Sequence, residues 1–126
     1  MERVTGIGGV FFKCRDPEKL KAWYVEHLGL PAGEHGYVVF DWGGAGSDKG
    51  STVWSPFADD TKYFAPSHAS WMLNYRVADL DRMLAQLRAA GVAVDDKIDD
   101  SEFGRFGWFM DPEGNRVELW QPPIEQ

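Results

Sequence analysis

Hydrophobic and polar positions divide the chain into short apolar segments and two amphipathic stretches. Apolar and aromatic residues dominate 8–13. Asp16 then offers a side-chain acceptor for the first turn of a helix, and Pro17 follows where its missing N–H costs nothing. Apolar residues recur at helical spacing up to Gly29, which tolerates a left-handed conformation. The pattern predicts a strand over 8–13 and then a helix over 17–28. The residues predicted on its buried face are Leu20, Trp23, Tyr24 and Leu28.

The same order returns in the second half of the chain. Residues 71–77 form an apolar segment, and Asp79 caps a second amphipathic stretch that Gly91 ends. The buried face predicted for this helix holds Leu80, Met83, Leu84 and Leu87. The other predicted strands are 37–42, 51–55, 93–98, 105–110 and 116–121. The predicted connections are a glycine-rich loop over 43–48, a linker over 58–70 and a tight turn over 111–115.

Two internal similarities indicate a duplicated module. The predicted caps Asp16 and Asp79 are 63 residues apart, about half of the chain. The closing segments 52–56 and 118–122 are also alike, but their offset of 66 implies a small insertion in the second half. We therefore predict an α+β fold of two βαβββ modules within a single domain, 1–126. The modules would cover 5–57 and 71–122, joined by the linker 58–70.

Composition and charge narrow the function classes. The chain has 126 residues, one cysteine and a formal net charge of −7. Cys14 has no intramolecular partner, so a disulfide framework or a cysteine-rich zinc site is excluded, and we interpret it as a small buried hydrophobic residue. The acidic balance argues against nucleic acid as a partner. The first residues lack the pattern of a secretory signal, and no segment has the length of a membrane span, so we expect a cytoplasmic protein without membrane contact.

Several segments resemble the vicinal oxygen chelate superfamily. They are 10–12, Asp16-Pro17, 27–30 and above all Asp111-Pro112-Glu113-Gly114-Asn115 with the strand after it. That superfamily includes glyoxalase I, bleomycin-binding resistance proteins, fosfomycin-modifying enzymes, extradiol dioxygenases and methylmalonyl-CoA epimerase. The resemblance implies paired βαβββ modules whose strongly curved sheet encloses a cavity, commonly in a homodimer.

The resemblance also locates a metal site. In metal-dependent members, the first and last strands of each module each direct one side chain into the cavity. By position these residues are Gly9, Thr52, Met72 and Glu118. Only Glu118 is a metal ligand of the expected type, and Trp54, the alternative to Thr52, is not a ligand. The three histidines, His27, His35 and His68, share no ligand spacing. We therefore expect no metal cofactor.

Glu118 has two interpretations. In an enzyme it is a metal ligand or general base, with the metal held by an atypical set such as Glu118 with His68. Otherwise it is a cavity carboxylate that pairs with Arg76, Lys13 or Arg105, because an unpaired buried charge is costly.

Strand alternation predicts what else lines the cavity. A three-residue turn over 112–114 would place Trp108 opposite Glu118 and Phe106 opposite Trp120. The residues predicted to bind a ligand are Phe11, Trp54, Met72, Asn74, Arg76, Arg105, Trp108 and Trp120. Aromatic walls with a few convergent polar groups suit a flat, partly apolar ligand. Ordinary core packing is the alternative for each aromatic residue.

Two functions compete. The first is a metal-independent small-molecule binder, of the drug-sequestering type seen in bleomycin resistance, with a cationic ligand favoured by the negative charge. The second is a metal-dependent lyase or isomerase resembling glyoxalase I, with Glu118 as ligand or base. The acidic segment 95–102 is either a solvated rim or a gate for cations. The segment 104–107, with two glycines, would let a loop close over the ligand.

Overall fold

The computed structural model describes residues 1–43 and 50–124, which form two helices and seven strands. The helices are α1 (Pro17–Leu28) and α2 (Leu80–Ala89). The strands are β1 (Val4–Cys14), β2 (Val38–Asp41), β3 (Ser51–Ala58), β4 (Trp71–Val77), β5 (Asp99–Ser101), β6 (Gly104–Met110) and β7 (Arg116–Gln121). The predicted α+β class is confirmed. From residue 44 onward, the loop predicted over 43–48 lies outside the described residues.

All of these strands belong to one mixed sheet, in the order β2-β3-β1-β4-β7-β6-β5, which curls into a half-barrel. The opening strands of the two halves, β1 and β4, are antiparallel neighbours at its centre. Each has a parallel partner on its outer side, β3 beside β1 and β7 beside β4. The next strands outward, β2 and β6, are antiparallel to those partners. The halves thus repeat one pairing pattern, and the curl of the sheet forms a cavity.

The register corrects the alignment of the two halves. Phe11 pairs with Ser55, and Asn74, which lies 63 residues after Phe11, pairs with Glu118. Ser55 and Glu118 are also 63 residues apart, so one offset holds through both halves. The insertion predicted in the second half was therefore wrong. The structural counterpart of Glu118 is Ser55 and not Thr52.

Both helices begin after the predicted cap residues, and the chain leaves both helices through the predicted glycines. The side chains of Asp16 and Asp79 each accept a hydrogen bond from the backbone N–H three residues later, at 3.1 and 3.0 Å. The chain leaves α1 through Gly29 at φ 67° and leaves the end of α2 through Gly91 at φ 82°. Glycine adopts these left-handed conformations without steric cost, so the sequence predicted both boundaries well.

The two helices differ in how much they bury. Leu80, Met83 and Leu84 of α2 are buried in an apolar cluster with Leu119 of β7, as predicted. By contrast, α1 has no buried residue, so its predicted buried face was wrong. A groove lined by α1, the segment 32–37 and the end of β3 lies beside this helix.

The predicted strand 93–98 is wrong as well. The backbone around Val94 makes a single antiparallel bridge to Phe109. The strand that lies between α2 and β6 in the chain is instead β5, which pairs with β6. The cause is local, because the Asp95 side chain accepts a hydrogen bond from the Lys97 N–H at 3.0 Å and turns the backbone away from the ladder.

The predicted strand 105–110 is confirmed as β6, and the segment 104–107, whose two glycines were expected to let a loop close over the ligand, is its first part. The α1 helix is followed by two strands among the described residues, whereas α2 is followed by the three of a βαβββ module.

The sheet separates two environments. One face carries α2 and the cluster around Leu119, and the other carries the cavity and a second buried cluster. The residues of this second cluster are Phe11, Phe64, Met72 and Trp108. In the parts of the chain that the structure describes, no helix is long and apolar enough to cross a membrane.

Candidate ligand-binding site

A cavity of about 550 Å³ opens on the sheet face opposite α2. Strands from both halves of the chain and the segment between them contribute to it. Asn74 and Glu118 provide buried polar groups, and aromatic rings form much of the wall. The rings in the wall include Phe11, Phe57, Tyr63, Phe106 and Trp120. Its volume and its mainly apolar wall with a few polar groups are typical of a small-molecule site.

Glu118 is the chemical centre of this cavity. Its side chain lies on β7 between β4 and β6 and is 1% exposed. Its Oε1 atom accepts a hydrogen bond from Asn74 Nδ2 at 2.6 Å. Its Oε2 atom accepts from Trp108 Nε1 at 2.9 Å and from the Tyr63 hydroxyl. Three uncharged donors from three different segments therefore hold the carboxyl group.

The ionisation of Glu118 is set by two opposing effects. Burial raises the pKa of the carboxyl group above its usual value, because the charged form loses its hydration. The hydrogen bonds from Tyr63, Asn74 and Trp108 act in the other direction, since they favour the carboxylate, as does the charge of Arg116. The net direction is upward. Burial and the adjacent carboxyl group also raise the pKa of the Tyr63 hydroxyl, so this residue stays a donor.

The predicted ion pairs of Glu118 are replaced by these neutral donors. Lys13 lies over the Phe64 ring, and its ammonium group is 5.6 Å from the ring centroid. Arg105 forms ion pairs elsewhere, and the Arg76 guanidinium lies between two indole rings, 5.2 Å from Trp42 and 4.9 Å from Trp120. The predicted pairing of Glu118 with Arg76, Lys13 or Arg105 was therefore wrong, because uncharged donors satisfy its carboxyl group.

Most of the predicted site residues lie in or beside the cavity. The register is the predicted one, with Trp108 opposite Glu118 and Phe106 opposite Trp120. The predicted residues that line the cavity are Phe11, Asn74, Glu118 and Trp120. Met72 and Trp108 lie in the buried cluster that adjoins it. Arg76 flanks the Trp120 ring, whose centroid is 6.0 Å from that of Phe106 in a stacked pair.

Two predicted site residues lie on the opposite side of the sheet, so their assignment to the cavity was wrong. Trp54 packs against Phe12 and against Tyr24 of α1, with ring centroids 5.3 and 5.0 Å apart. The register explains this, because β3 presents its odd-numbered residues to the cavity. Arg105 lies beside α2, and its guanidinium is 2.8 Å from the Asp81 carboxylate.

The predicted linker 58–70 contributes residues that pattern reasoning missed. Tyr63 stacks on Phe57 with ring centroids 5.5 Å apart and places its hydroxyl on Glu118. Phe64, next to it, is fully buried. Two adjacent aromatic residues in a polar, proline-containing segment were the available signal, since large aromatic side chains usually find a partner.

The first of the superfamily's metal-ligand positions cannot carry a ligand. Gly9 has no side chain, and a Cβ atom there would lie 2.7 Å from the Phe11 ring. Met72 is fully buried among apolar side chains. Thr52 already donates to the Ile7 carbonyl oxygen at 2.6 Å.

Ser55, which takes the place of Thr52 by register, offers only a neutral hydroxyl. Among the four metal-ligand positions, only Glu118 carries a carboxylate, and each of its two oxygens already accepts at least one hydrogen bond. Within 1–43 and 50–124, no three His, Cys, Asp or Glu side chains group so as to hold a metal ion. The donor set of the described residues therefore does not fit the superfamily's metal centre.

Carboxylates also stand in the cavity wall. Asp41 from β2 and Glu102 from the turn between β5 and β6 line it. Glu102 is the one acid of the segment 95–102 that does so, whereas Asp95 and Asp100 form ion pairs with Arg116 and Arg105. The predicted acidic gate is thus reduced to a single residue of that segment, together with Asp41 from the other half of the chain.

Comparison with known proteins connects this geometry to a family. The family model described as a glyoxalase-like domain matches residues 9–120. No curated protein sequence matches the chain. Among solved structures, methylmalonyl-CoA epimerase from Mycobacterium tuberculosis has 22% identity and a TM-score of 0.65, covering 97% of this chain and 91% of that one.

Two further structures show the same fold. A variant of Streptomyces coelicolor methylmalonyl-CoA epimerase in complex with 2-nitronate-propionyl-CoA has 19% identity and a TM-score of 0.71, covering 97% of this chain and 100% of that one. A glyoxalase/bleomycin resistance protein/dioxygenase superfamily member from Vibrio splendidus 12B01 has 14% identity and a TM-score of 0.56, covering 96% and 99%. The family model matches most of the chain, and the fold has the paired halves and the cavity described above. The chain therefore belongs to the glyoxalase-like domain family.

Proposed function

We propose that this glyoxalase-like domain binds a small, partly aromatic organic cation in its cavity without a metal ion, as a drug-sequestering protein of the bleomycin-resistance type would. The observation that carries the proposal is the composition of the wall. Aromatic rings form much of that wall, and aromatic faces attract cations. Three carboxyl groups, those of Asp41, Glu102 and Glu118, share the same space.

The balance of charge supports a cation over an anion. Among the described residues that line the cavity there is no lysine or arginine. The chain as a whole carries a formal net charge of −7, which adds a long-range attraction for positive ligands. A coenzyme A ester, the ligand in the Streptomyces coelicolor complex, carries phosphate groups of the opposite sign. The charge of this cavity therefore does not match that ligand class.

The alternative of a metal-dependent lyase or isomerase has less support. Its metal would need ligands at positions where this chain has Gly9 and Met72. As a general base, Glu118 would have to use Oε1, because two donors already occupy Oε2. No group of the described cavity is the strong electrophile that proton abstraction beside a carbonyl requires.

A thermal-shift panel tests the proposal. Aromatic ammonium and guanidinium compounds are compared with carboxylates built on the same aromatic bodies. A ligand at about 100 times its Kd stabilises a protein by about 2.7 kcal/mol, which raises the Tm of a domain of this size by about 10 °C. We expect shifts from cations and not from the carboxylates. Shifts from the carboxylates alone, or from neither set, would overturn the cation assignment.

Metal analysis tests the second part of the proposal. Protein purified without chelators is expected to contain no stoichiometric divalent ion, and its Tm is expected to be unchanged by a chelator. A stoichiometric ion that disappears in Glu118→Gln would contradict a metal-free site and would favour the lyase or isomerase.

Matched charge variants test where the cation binds. Glu102→Gln removes one carboxylate of the wall, whereas Glu113→Gln removes one from the exposed turn after β6. For any cation that shifts the Tm, we expect Glu102→Gln to weaken binding about threefold or more at low salt and Glu113→Gln to leave it unchanged. Equal effects of the two substitutions would indicate nonspecific attraction by the whole chain.

We also propose that the chain forms a homodimer, as its family resemblance implies. Large apolar side chains of α1 and of the sheet face around it stay exposed, including Trp23, Leu28 and Trp71. Monomers seldom leave that many large apolar residues in water without a partner surface. Sedimentation at micromolar concentration is expected to give about twice the chain mass of 14.2 kDa, and a mass near that of one chain would contradict the proposal.

A further inference from the structure

The groove beside α1 shares part of its wall with the cavity. It has a volume of about 820 Å³ and is lined by α1, the segment 32–37 and the end of β3. The residues that line both spaces are His35, Tyr37, Ser55 and Phe57. None of these shared residues is buried, so their side chains are accessible to a ligand.

The strand pairing shows where the two spaces meet. β2 pairs with β3 only as far as Val38 and Trp54, whereas β3 stays paired with β1 as far as Ala58. The outer edge of β3 after Trp54 therefore has no strand beside it among the described residues. Ser55 and Phe57, which line both spaces, lie on this edge. The open edge is thus the place where the cavity continues into the groove.

Lys21 holds the wall of the groove that faces α1. Its ammonium group donates to the carbonyl oxygen of Gly33 at 3.3 Å and to that of His35. The His35 ring stacks on Tyr37, with ring centroids 4.9 Å apart. These contacts tie the segment 32–37 to the helix and keep its aromatic pair at the junction of the two spaces. They also engage the one lysine among the residues that line the groove.

The course of the chain into β2 gives a ligand that uses both spaces a direction. Tyr37, Val39 and Asp41 alternate along the sequence, and all three line the cavity. Tyr37 is at the groove, and the Asp41 backbone lies about 13 Å farther along, at about 3.3 Å per residue. The Asp41 carboxylate forms no ion pair with a described residue. A cation at Asp41 can therefore direct the rest of its body toward the groove.

Resting on the proposed function, we infer that the site takes amphipathic cations that are longer than the cavity. The charged aromatic part of such a ligand lies in the cavity, and an apolar arm at the end opposite the charge lies in the groove. The arm crosses the edge of β3 at Ser55 and Phe57. Beyond that edge, apolar side chains offer it a surface to cover, and this burial favours binding. They include Ala22, Val25, Ala32 and Pro56.

A pair of probes tests this inference directly. Isothermal titration calorimetry compares 4-methylbenzylammonium with 4-hexylbenzylammonium, which share the ring and the charge. A fully buried methylene strengthens binding about fourfold. Since the groove is open to solvent, we expect a smaller gain per methylene, and at least about tenfold for the whole arm. Equal affinities would overturn the inference and leave the proposed function standing. Binding of neither cation would count against the proposed function itself.

Three tryptophan variants assign the gain to the groove. Ala22→Trp and Ala32→Trp narrow the groove from opposite walls, so each is expected to bring the two affinities within about twofold of each other. Both alanines are exposed, so neither substitution disturbs the core. The matched control is Ala85→Trp, at an exposed position of α2 outside both spaces, and it should retain the gain. A gain that survives in either groove variant, or that is lost in the control, would overturn the assignment to the groove.

Discussion

Replacing Tyr63 by phenylalanine removes one oxygen atom and tests whether the segment between the two halves holds the central carboxyl group. The ring of Tyr63 stacks on Phe57, and that contact is retained in the variant. The hydroxyl that donates to Glu118 Oε2 is lost. Trp108 and Asn74 would then be the two donors that hold the carboxyl group. The substitution therefore isolates one hydrogen bond within an otherwise unchanged site.

The expected cost follows from the burial of the two partners. A hydrogen bond to a charged group contributes about 1.5–3 kcal/mol. The Tyr63 residue is 39% exposed, so in the variant a water molecule can replace part of the lost hydrogen bond. We therefore expect a cost in the lower part of that range, about 1.5–2 kcal/mol. In a chain of 126 residues, each kcal/mol lowers the Tm by about 4 °C, so we expect a fall of about 6–8 °C at pH 8.

The cost should also depend on pH with a defined sign. The Tyr63 hydroxyl favours the carboxylate form of Glu118, so its removal moves the already raised pKa of that carboxyl group further upward. A carboxyl group whose folded pKa is raised stabilises the fold below its usual value of 4.5, and this contribution is lost as the pH rises through the folded pKa. Tyr63→Phe must therefore cost more at pH 8 than at pH 4.

Urea unfolding at both pH values measures the free energies, with Tyr75→Phe as the control. Tyr75 is a partly buried tyrosine of β4, and its hydroxyl has no hydrogen bond among the described residues. We expect the control to stay within about 0.5 kcal/mol of the original chain. A cost of Tyr63→Phe below 0.5 kcal/mol, on the order of the control, or a cost that does not grow with pH, would refute the reasoning.

Three further predictions concern single positions. Gly104→Ala should lower the free energy of unfolding by about 2 kcal/mol, because the φ of Gly104 is 118° and a Cβ atom would clash with the Gln121 carbonyl oxygen. The control is Gly33→Ala, because a Cβ atom at Gly33 would meet open space. Equal costs of the two substitutions would contradict the argument. Glu118→Gln should gain stability relative to the original chain as the pH is raised from 4.5. Burial raises the pKa of the Glu118 carboxyl group, so the original chain loses stability as the pH rises and the glutamine variant does not. Free energies of unfolding in urea that change with pH in parallel for the two chains would contradict this expectation. Cys14 should react with iodoacetamide at pH 7.5 more slowly than a free cysteine peptide, because burial raises its thiol pKa, and a faster rate would show an activated thiolate.

The fold could be predicted where local chemistry decides it. Helix boundaries depend on caps such as Asp16 and Asp79 and on glycines that tolerate positive φ, and these signals lie within a few residues of the boundary. The turn after β6 is equally local, because the Asp111 side chain accepts from the backbone N–H groups of Glu113 and Asn115 at 2.9 Å. This turn fixed the register that places Trp108 opposite Glu118.

Prediction failed where a neighbouring strand or helix decides the outcome. The period of α1 is helical, but nothing within the helix says that a groove lies beneath it. Similarly, the face of β3 depends on which residue pairs with β1. A register difference of one residue exchanges the two faces, so Trp54 was assigned to the cavity although Val53 and Ser55 line it. A long-range pairing of this kind leaves no mark in the pattern of one strand.

The cavity also differs from the metal site that the resemblance implies for other members of the superfamily. A metal centre needs side chains that reach inward from β1 and β4, and at these positions the two strands instead supply Gly9 and Met72. Gly8 packs directly against the Asn74 oxygen, where a Cβ atom would clash, and Asn74 in turn holds Glu118. These strands therefore add no second charged ligand beside Glu118, and uncharged donors hold its carboxyl group. Since one of them is Tyr63, the segment between the halves is part of the site.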